Sequence, residues 1–232
     1  MFQSLPRPRS GTGHQTGRAG ARILALFTGL MALVFSAAFT APAHAQTLRI
    51  VALGDSLTAG YGLAADEGFT DRLEAALRAS GHDVVIVNAG VSGDTATGGA
   101  ERLDWTLAEG ADAVIVELGA NDALRGVDPA VTEAALRRIL AALAERGTPV
   151  LLAGMRAPPN MGADYAARFD ALYPRLAAAF DVVFYPFFLD GVAGNPALNQ
   201  GDAMHPTSEG VDVIVAGILP FAEELVSRIA AR

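Results

Sequence analysis

From residue 48 onward, short β-branched or apolar runs alternate with helix-length segments, and that alternation leaves few folds open. Residues 48–53 (LRIVAL), 84–87 (VVIV), 113–118 (AVIVEL), 150–153 (VLLA) and 182–184 (VVF) read as strands. Several are apolar at nearly every position, as strands covered on both faces of a parallel sheet are. Helix candidates stand between them at 68–79, 97–108, 129–146 and 164–180, with a last one over 208–230. The third carries Val131, Ala135, Leu136, Ile139, Leu140 and Leu143 at helical spacing, with Pro129 in its first turn and Gly147 beyond its end. The fourth repeats the pattern with Tyr165, Phe169, Leu172, Leu176 and Phe180. Strands and helices in turn predict an α/β protein, a three-layer α/β/α sandwich around a mostly parallel five-stranded sheet.

Residues 1–45 do not fit that pattern. Residues 1–22 hold Arg7, Arg9, Arg18 and Arg22 and no acid, residues 23–39 are apolar, and Ala43-His44-Ala45 follows. A basic stretch, an apolar stretch and small residues at −3 and −1 predict an export signal cleaved before Gln46. The alternative is a membrane anchor, since the apolar run nearly spans a bilayer. The Ala/Pro-rich segment before Gln46 favours cleavage, and no cysteine follows it to take a lipid. No arginine pair precedes the apolar run, which points to the general secretory route. The expectation is an exported chain, periplasmic or secreted, with residues 46–232 as one domain and no stable membrane anchor after cleavage.

Composition removes whole classes of chemistry. The chain has no cysteine, and all 17 of its basic residues are arginine. Thiolate nucleophiles, disulfides and cysteine-ligated metals are thereby excluded, as are Schiff bases, P-loop phosphate sites and Ser-Lys dyads, each of which needs a lysine amine. Formal charge is −8, and no basic run offers a footprint for nucleic acid. Of four histidines, His14 and His44 belong to the export segment, leaving His82 and His205.

In a sheet of this kind ligands sit at the carboxyl ends of the strands. Three loops there are polar and glycine-rich: Gly54-Asp55-Ser56-Leu57-Thr58-Ala59-Gly60-Tyr61-Gly62, Asn88-Ala89-Gly90-Val91-Ser92-Gly93-Asp94-Thr95, and Gly119-Ala120-Asn121-Asp122. A fourth segment, Asp202-Ala203-Met204-His205-Pro206, lies near the C-terminus. Acyl transfer to water requires an oxygen nucleophile, a base and donors for the developing oxyanion. Ser56 is the candidate nucleophile, although a lone Gly-Asp-Ser by itself better fits a serine capping a helix. His82 sits in a helix-to-strand turn at the opposite end of the sheet, so His205 is the available base. Asp202, three residues earlier, can fix its tautomer, although Asp-x-x-His alone also fits a helix start beside a surface histidine. Gly93 N–H and the Asn121 amide are candidate oxyanion donors, with Asn121 as a left-handed turn residue the competing reading. Ser92 is a decoy: neither it nor any other serine sits in a G-x-S-x-G elbow.

Taken in order, these blocks closely resemble the SGNH, or GDSL, hydrolase family. Gly54-Asp55-Ser56-Leu57 is the first block, Gly93 lies in the second, Gly119-Ala120-Asn121-Asp122 is the third and Asp202-Ala203-Met204-His205-Pro206 the last. Val91–Thr95, Val116–Gly119, Leu124–Gly126 and Tyr185–Phe188 are similar to the bacterial multifunctional thioesterase/lysophospholipase/arylesterase subfamily. The resemblance implies Ser56 as nucleophile, His205 as general base, Asp202 as its orienting acid, and an oxyanion hole of Ser56 N–H, Gly93 N–H and Asn121. It also implies an exported, metal-independent enzyme acting on acyl thioesters, aryl esters and lysophospholipids. Ala120 departs from the second glycine common at that point. The segment 155–162 (MRAPPNMG) departs in being rich in proline and methionine.

The expected protein is therefore a serine ester and thioester hydrolase working through an acyl-enzyme, monomeric, with a small-molecule acyl substrate and no cofactor, metal or nucleic acid. Because the base must be neutral, activity should rise with pH through the ordinary imidazole range, near ~6.5. Leu57, Leu124, Met155, Pro158, Met161 and Met204 are candidates for an acyl groove, with burial in the core as the alternative for several. Two rivals stay open. One is a carbohydrate O-acetylesterase on the same fold. The other is a non-catalytic ligand-binding domain that keeps the flavodoxin-like layout.

Overall fold

The computed structural model describes residues 47–231. The export segment proposed at 1–45 lies outside the described residues. Five strands run β1 (Leu48–Gly54), β2 (Val84–Gly90), β3 (Ala113–Glu117), β4 (Val150–Ala153) and β5 (Val183–Tyr185). They form one sheet in the order β2-β1-β3-β4-β5, and every pairing is parallel. The order reverses beside β1, the topological switch point at which α/β sheets open a crevice.

The central strands are apolar on both faces because both faces are covered. Val114, Ile115 and Val116 of β3 and Ile50, Val51 and Leu53 of β1 are all inaccessible to solvent. Each such side chain is worth roughly 1.5–3 kcal/mol on leaving water. Their cover comes from α2 (Phe69–Ala79), α6 (Pro129–Glu145), α8 (Leu172–Phe180) and α9 (Ser208–Ala230), following the short α1 (Ser56–Ala59), α3 (Ala96–Glu101), α4 (Leu103–Thr106), α5 (Ala120–Leu124) and α7 (Ala163–Asp170). In α6, Ala135, Leu136, Ile139, Leu140 and Leu143 are buried as their spacing predicts, whereas Val131 remains half exposed.

Two expected helices are each divided. The segment 97–108 breaks at Arg102, whose backbone leaves the helical region (φ −96°, ψ 2°) while its side chain reaches inward. Segment 164–180 becomes α7 and α8, meeting at Ala171. Pro174 lies in the first turn of α8, where the missing N–H costs nothing, but inside one long helix it would remove a bond to Asp170.

Register sets the site. Gly54 pairs with Gly90 on one side and with Glu117 on the other. The three strands thus end level, and the loops that follow them emerge side by side. His82 precedes β2, at the other end of the sheet.

Candidate active site

Ser56 is the first residue of α1, immediately past the end of β1. It does not cap the helix. Asp55 does, its Oδ1 accepting from Leu57 N–H at 3.0 Å. The capping role competing for Ser56 thus falls to its neighbour, and the Ser56 hydroxyl reaches a different partner. Its Oγ lies 2.8 Å from His205 Nε2, across 149 residues of sequence. His205 Nδ1 lies 2.6 Å from Asp202 Oδ2. An ionised carboxylate only accepts, so Nδ1 carries the proton and Nε2 presents its lone pair to the Ser56 hydroxyl.

Asp202 is ionised for a local reason. Its Oδ1 accepts the backbone N–H groups of His205 (3.0 Å) and Met204 (2.9 Å). Those donors, the His205 N–H first and then the imidazole, hold the carboxyl far below the ordinary aspartate range. The two residues meet within one tight turn, which Ala203 closes with a positive φ of 59°.

This turn hangs on polar anchors. Asn199 Nδ2 donates to the carbonyls of Val192 (2.7 Å) and Asn195 (2.8 Å). Gln200 N–H donates to His205 O, and Gln200 Nε2 to Tyr61 O and Pro206 O at 2.7 and 2.9 Å. The Tyr61 ring rests against the imidazole with centroids 4.5 Å apart. Nothing in the spacing of Tyr61, Asn199 or Gln200 marked them out, because their work depends on loops that meet only in the fold.

The loop after β2 brings Gly93 to the same crevice. Its φ of 83° is one that glycine adopts without strain. Gly93 N–H donates to no protein acceptor among the described residues, while its carbonyl accepts from Arg125 Nη2 at 2.8 Å. Arg102 secures the loop from behind: Nε donates to Asp94 Oδ2 (2.7 Å) and Nη2 to the Gly54 carbonyl (2.9 Å). That ion pair is mostly shielded from solvent and ties the second loop to the end of β1.

Asn121 lies within α5, and the left-handed residue of its turn is Gly119 (φ 118°). The left-handed role weighed for Asn121 thus belongs to Gly119. Asn121 Nδ2 donates to Asp55 Oδ2 at 2.9 Å. Beside it, Asp122 is buried and accepts from Ala96 N–H and Thr132 Oγ, pinning α5 to the starts of α3 and α6.

Ser56, Gly93, Asn121 and His205 all face one cleft of about 650 Å³. Of the groove candidates, Leu57, Leu124, Met155, Pro158 and Met204 line it. Leu57 and Met155 are nearly buried there, and Leu124 and Met204 are about half exposed at its mouth. Met161 is a correction: it does not line the cleft, and its methyl group lies against Gly126. It belongs to the 3₁₀ turn Pro159–Met161, which carries its side chain onto the α5–α6 connection. Phe187, Pro159 and Tyr61 also line the cleft, although none was a groove candidate. Ser92 also faces it, but the imidazole bonds to Ser56.

Comparison with known proteins identifies the family of the chain. The profile of the GDSL-like lipase/acylhydrolase family matches residues 52–213. Over 202 residues the chain is 38% identical to the esterase TesA of Pseudomonas aeruginosa PAO1, covering 87% of this chain and 98% of that protein. It is equally 38% identical to the thioesterase 1/protease 1/lysophospholipase L1 of Escherichia coli K12, covering 87% and 92%. Among solved structures, AlinE4, an esterase of the SGNH-hydrolase family, superposes with a TM-score of 0.66 at 46% identity, over 77% of this chain and 96% of that one. The chain belongs to the GDSL-like lipase/acylhydrolase family.

Proposed function

We propose that the protein hydrolyses carboxylic esters and thioesters through a covalent acyl-enzyme on Ser56. The observation that carries this reading is the bonded line Ser56–His205–Asp202, ending at the wall of a largely apolar cleft. Ser56 Oγ attacks the acyl carbonyl as His205 Nε2 takes its proton, and Asp202 stabilises the imidazolium so formed. The oxyanion is held by the N–H groups of Ser56 and Gly93 and by the Asn121 amide. His205 then protonates the departing alcohol or thiol. Water then attacks the acyl carbon as His205 takes its proton, and His205 returns that proton to Ser56 Oγ as the acid leaves.

The cleft lining supports an acyl chain over a sugar. Leu57, Leu124, Met155, Pro158, Phe187 and Met204 supply mostly hydrocarbon to its walls, and a carbohydrate acetylesterase would have to satisfy many hydroxyls there. Aryl esters, acyl thioesters and lysophospholipids all offer that combination of an apolar acyl group and a reactive carbonyl. The basic and apolar pattern of residues 1–45 supports export, with residues 46–232 as the working domain. No helix among the described residues is long and apolar enough to cross a membrane.

The test is hydrolysis of p-nitrophenyl esters from acetyl to dodecanoyl, in the presence of chelator, by the protein and its Ser56→Ala variant. Turnover that survives chelator, is lost in the variant and peaks at a medium or long chain is expected. Incubation with an alkyl phosphonate should add one phosphonyl group, on the peptide containing Ser56. Turnover retained by Ser56→Ala would overturn the serine mechanism, and a strict preference for acetyl would favour the acetylesterase reading.

A further inference from the structure

Behind the nucleophile lie two carboxyl groups that the reaction scheme leaves without a task. Asp55 and Glu117 are both fully buried, at the ends of neighbouring strands β1 and β3. Their oxygens are unequally provided for. Both Asp55 oxygens accept a good hydrogen bond, Oδ1 from Leu57 N–H and Oδ2 from Asn121 Nδ2. Glu117 Oε2 accepts from Thr58 Oγ1 at 2.8 Å and, at a long 3.4 Å, from Asp55 N–H. Glu117 Oε1 is buried and, among the described residues, meets no partner. Two adjacent buried carboxyls cannot both ionise cheaply, and an ionised oxygen with no donor is the costlier of the available arrangements.

We propose that Asp55 and Glu117 work as a pair of positioning residues, Glu117 staying a neutral acid so that an ionised Asp55 fixes the Asn121 amide for the oxyanion. The inference rests on the placement of Asn121 in the oxyanion hole made above. An Asn side chain can present either its oxygen or its nitrogen, and the two are nearly equal in shape. Asn121 with its oxygen turned to the oxyanion would repel the charge it is meant to hold. A carboxylate at Asp55 accepts only, so it compels the NH₂ end of the amide to face that way and locks the amide plane. One N–H is spent on Asp55, and the amide has a second. Were the proton on Asp55 instead, its O–H would attract the amide oxygen and release the lock.

The surroundings support the same division. Burial pushes the Asp55 carboxyl up to about 6, against the opposing pull of Leu57 N–H and Asn121. Burial and the Asp55 charge push Glu117 well above its ordinary range. The other titratable groups around the pair are His205 across the cleft, Tyr173 from α8, and Asp122 on α5, while Arg102 reaches the Gly54 carbonyl on the same side. Tyr173 donates its O–H to the Leu118 carbonyl, and among the described residues no cation bonds to either carboxyl.

Two experiments on the full-length protein test this. In the first, kcat and KM for a p-nitrophenyl ester are measured for Asp55→Asn, Asn121→Ala and the double variant. Losing one oxyanion donor typically costs about 10²–10³ in kcat, so Asn121→Ala should fall in that range. Asp55→Asn should lose roughly ten- to a hundredfold in kcat with KM little changed, and the double variant should be no slower than Asn121→Ala alone. Losses that multiply in the double variant would overturn the inference while leaving the oxyanion hole intact. Wild-type kcat in Asn121→Ala would instead overturn the oxyanion assignment itself.

The second experiment needs no turnover. A carboxyl neutral in the folded state but ionised in the unfolded chain binds an extra proton when folded, so its contribution to stability falls as pH rises above its unfolded value. Glu117→Gln removes that slope. The melting temperature of Glu117→Gln minus that of the wild type should therefore grow as pH rises above the unfolded glutamate value and on through neutrality. In the infrared spectrum at neutral pH, the carbonyl band of a neutral carboxylic acid should disappear in the same variant. A difference independent of pH, or no such band in the wild type, would show Glu117 ionised and overturn the proposal.

Discussion

Two aspartates approach the crevice from opposite sides, and the halves of the site that they belong to are built on different physics. Asp55 stands at the end of a central strand, wholly buried, and burial raises its carboxyl to about 6 even though both oxygens are bonded. Asp202 stands in the loop before α9 with about 33% of its side chain exposed, and its N–H donors pull its carboxyl far below the usual range. Both accept backbone N–H groups; what separates them is how much water each has given up. The strand-end half is fixed by sheet register and dry packing. The rim half, residues 199–207, is a surface turn shaped by its own hydrogen bonds, and its rigidity owes little to apolar burial.

That contrast can be broken most sharply at its junction. Ser56→Ala and His205→Ala should each lower kcat by about 10⁴ or more, with melting temperatures close to wild type, as circular dichroism would check. A smaller loss would mean that the two halves do not act as one unit. Next in size, Asp202→Asn should cost about 10³–10⁴ in kcat through the wrong imidazole tautomer. Because the wild-type Asp202 stays ionised throughout the range in which activity is measured, the acid limb of the wild-type pH profile should not report its titration. The sign for stability follows: Asp202 stabilises the fold above the unfolded aspartate value and loses that contribution as acid protonates it, modestly because it is partly exposed.

A third pair of variants separates the halves directly. Asn199→Ala leaves two carbonyls short of a donor, at about 1–3 kcal/mol for the buried groups, a cost confined to the rim. It should slow turnover about tenfold and quicken amide exchange at 199–207 more than it lowers the melting temperature. Ile115→Ala should do the reverse, losing about 2–5 kcal/mol of global stability while the folded fraction keeps its kcat. Equal effects on melting and turnover in both variants would erase the distinction. The smallest effect is expected at the mouth of the cleft. Leu124→Ala, half exposed, should raise KM for octanoyl esters about two- to fivefold and leave acetyl esters unmoved.

What the sequence revealed follows the same division. The strands were legible because a parallel sheet demands apolar residues on both faces, and α6 because its stripe matches the helical period. Ser56, Gly93, Asn121, Asp202 and His205 stood out as chemistry-bearing types at strand ends or in the one turn with a histidine to spare; the fold brings Ser56, Gly93, Asn121 and His205 to one cleft, with Asp202 bonded to His205 behind it. Their supports did not stand out. Arg102 reads as a surface helix residue until its side chain is seen to join Asp94 to the Gly54 carbonyl. Gln200 and Tyr61 are 139 residues apart and meet through a single side-chain-to-carbonyl bond that no periodicity encodes. Met161 was misjudged because a proline-rich loop gives no phase from which to infer the direction of a side chain. The break at Arg102 was missed because helix propensity is local, whereas the contacts of its side chain are not; that at Ala171 was signalled by Pro174, which the apolar spacing of 164–180 masked.

The distance along the chain between the two partners of the central hydrogen bond has a consequence for biosynthesis. Ser56 and His205 are separated by 149 residues, and α9, which follows His205, still has to close over α2 and β5. A nascent chain long enough to present Ser56 and all three strand-end loops still lacks the base. Every acyl bond that the growing polypeptide meets before residue 205 emerges is therefore safe from it. Hydrolytic power is withheld until residue 205 has been made and the turn that carries it has folded back onto Ser56.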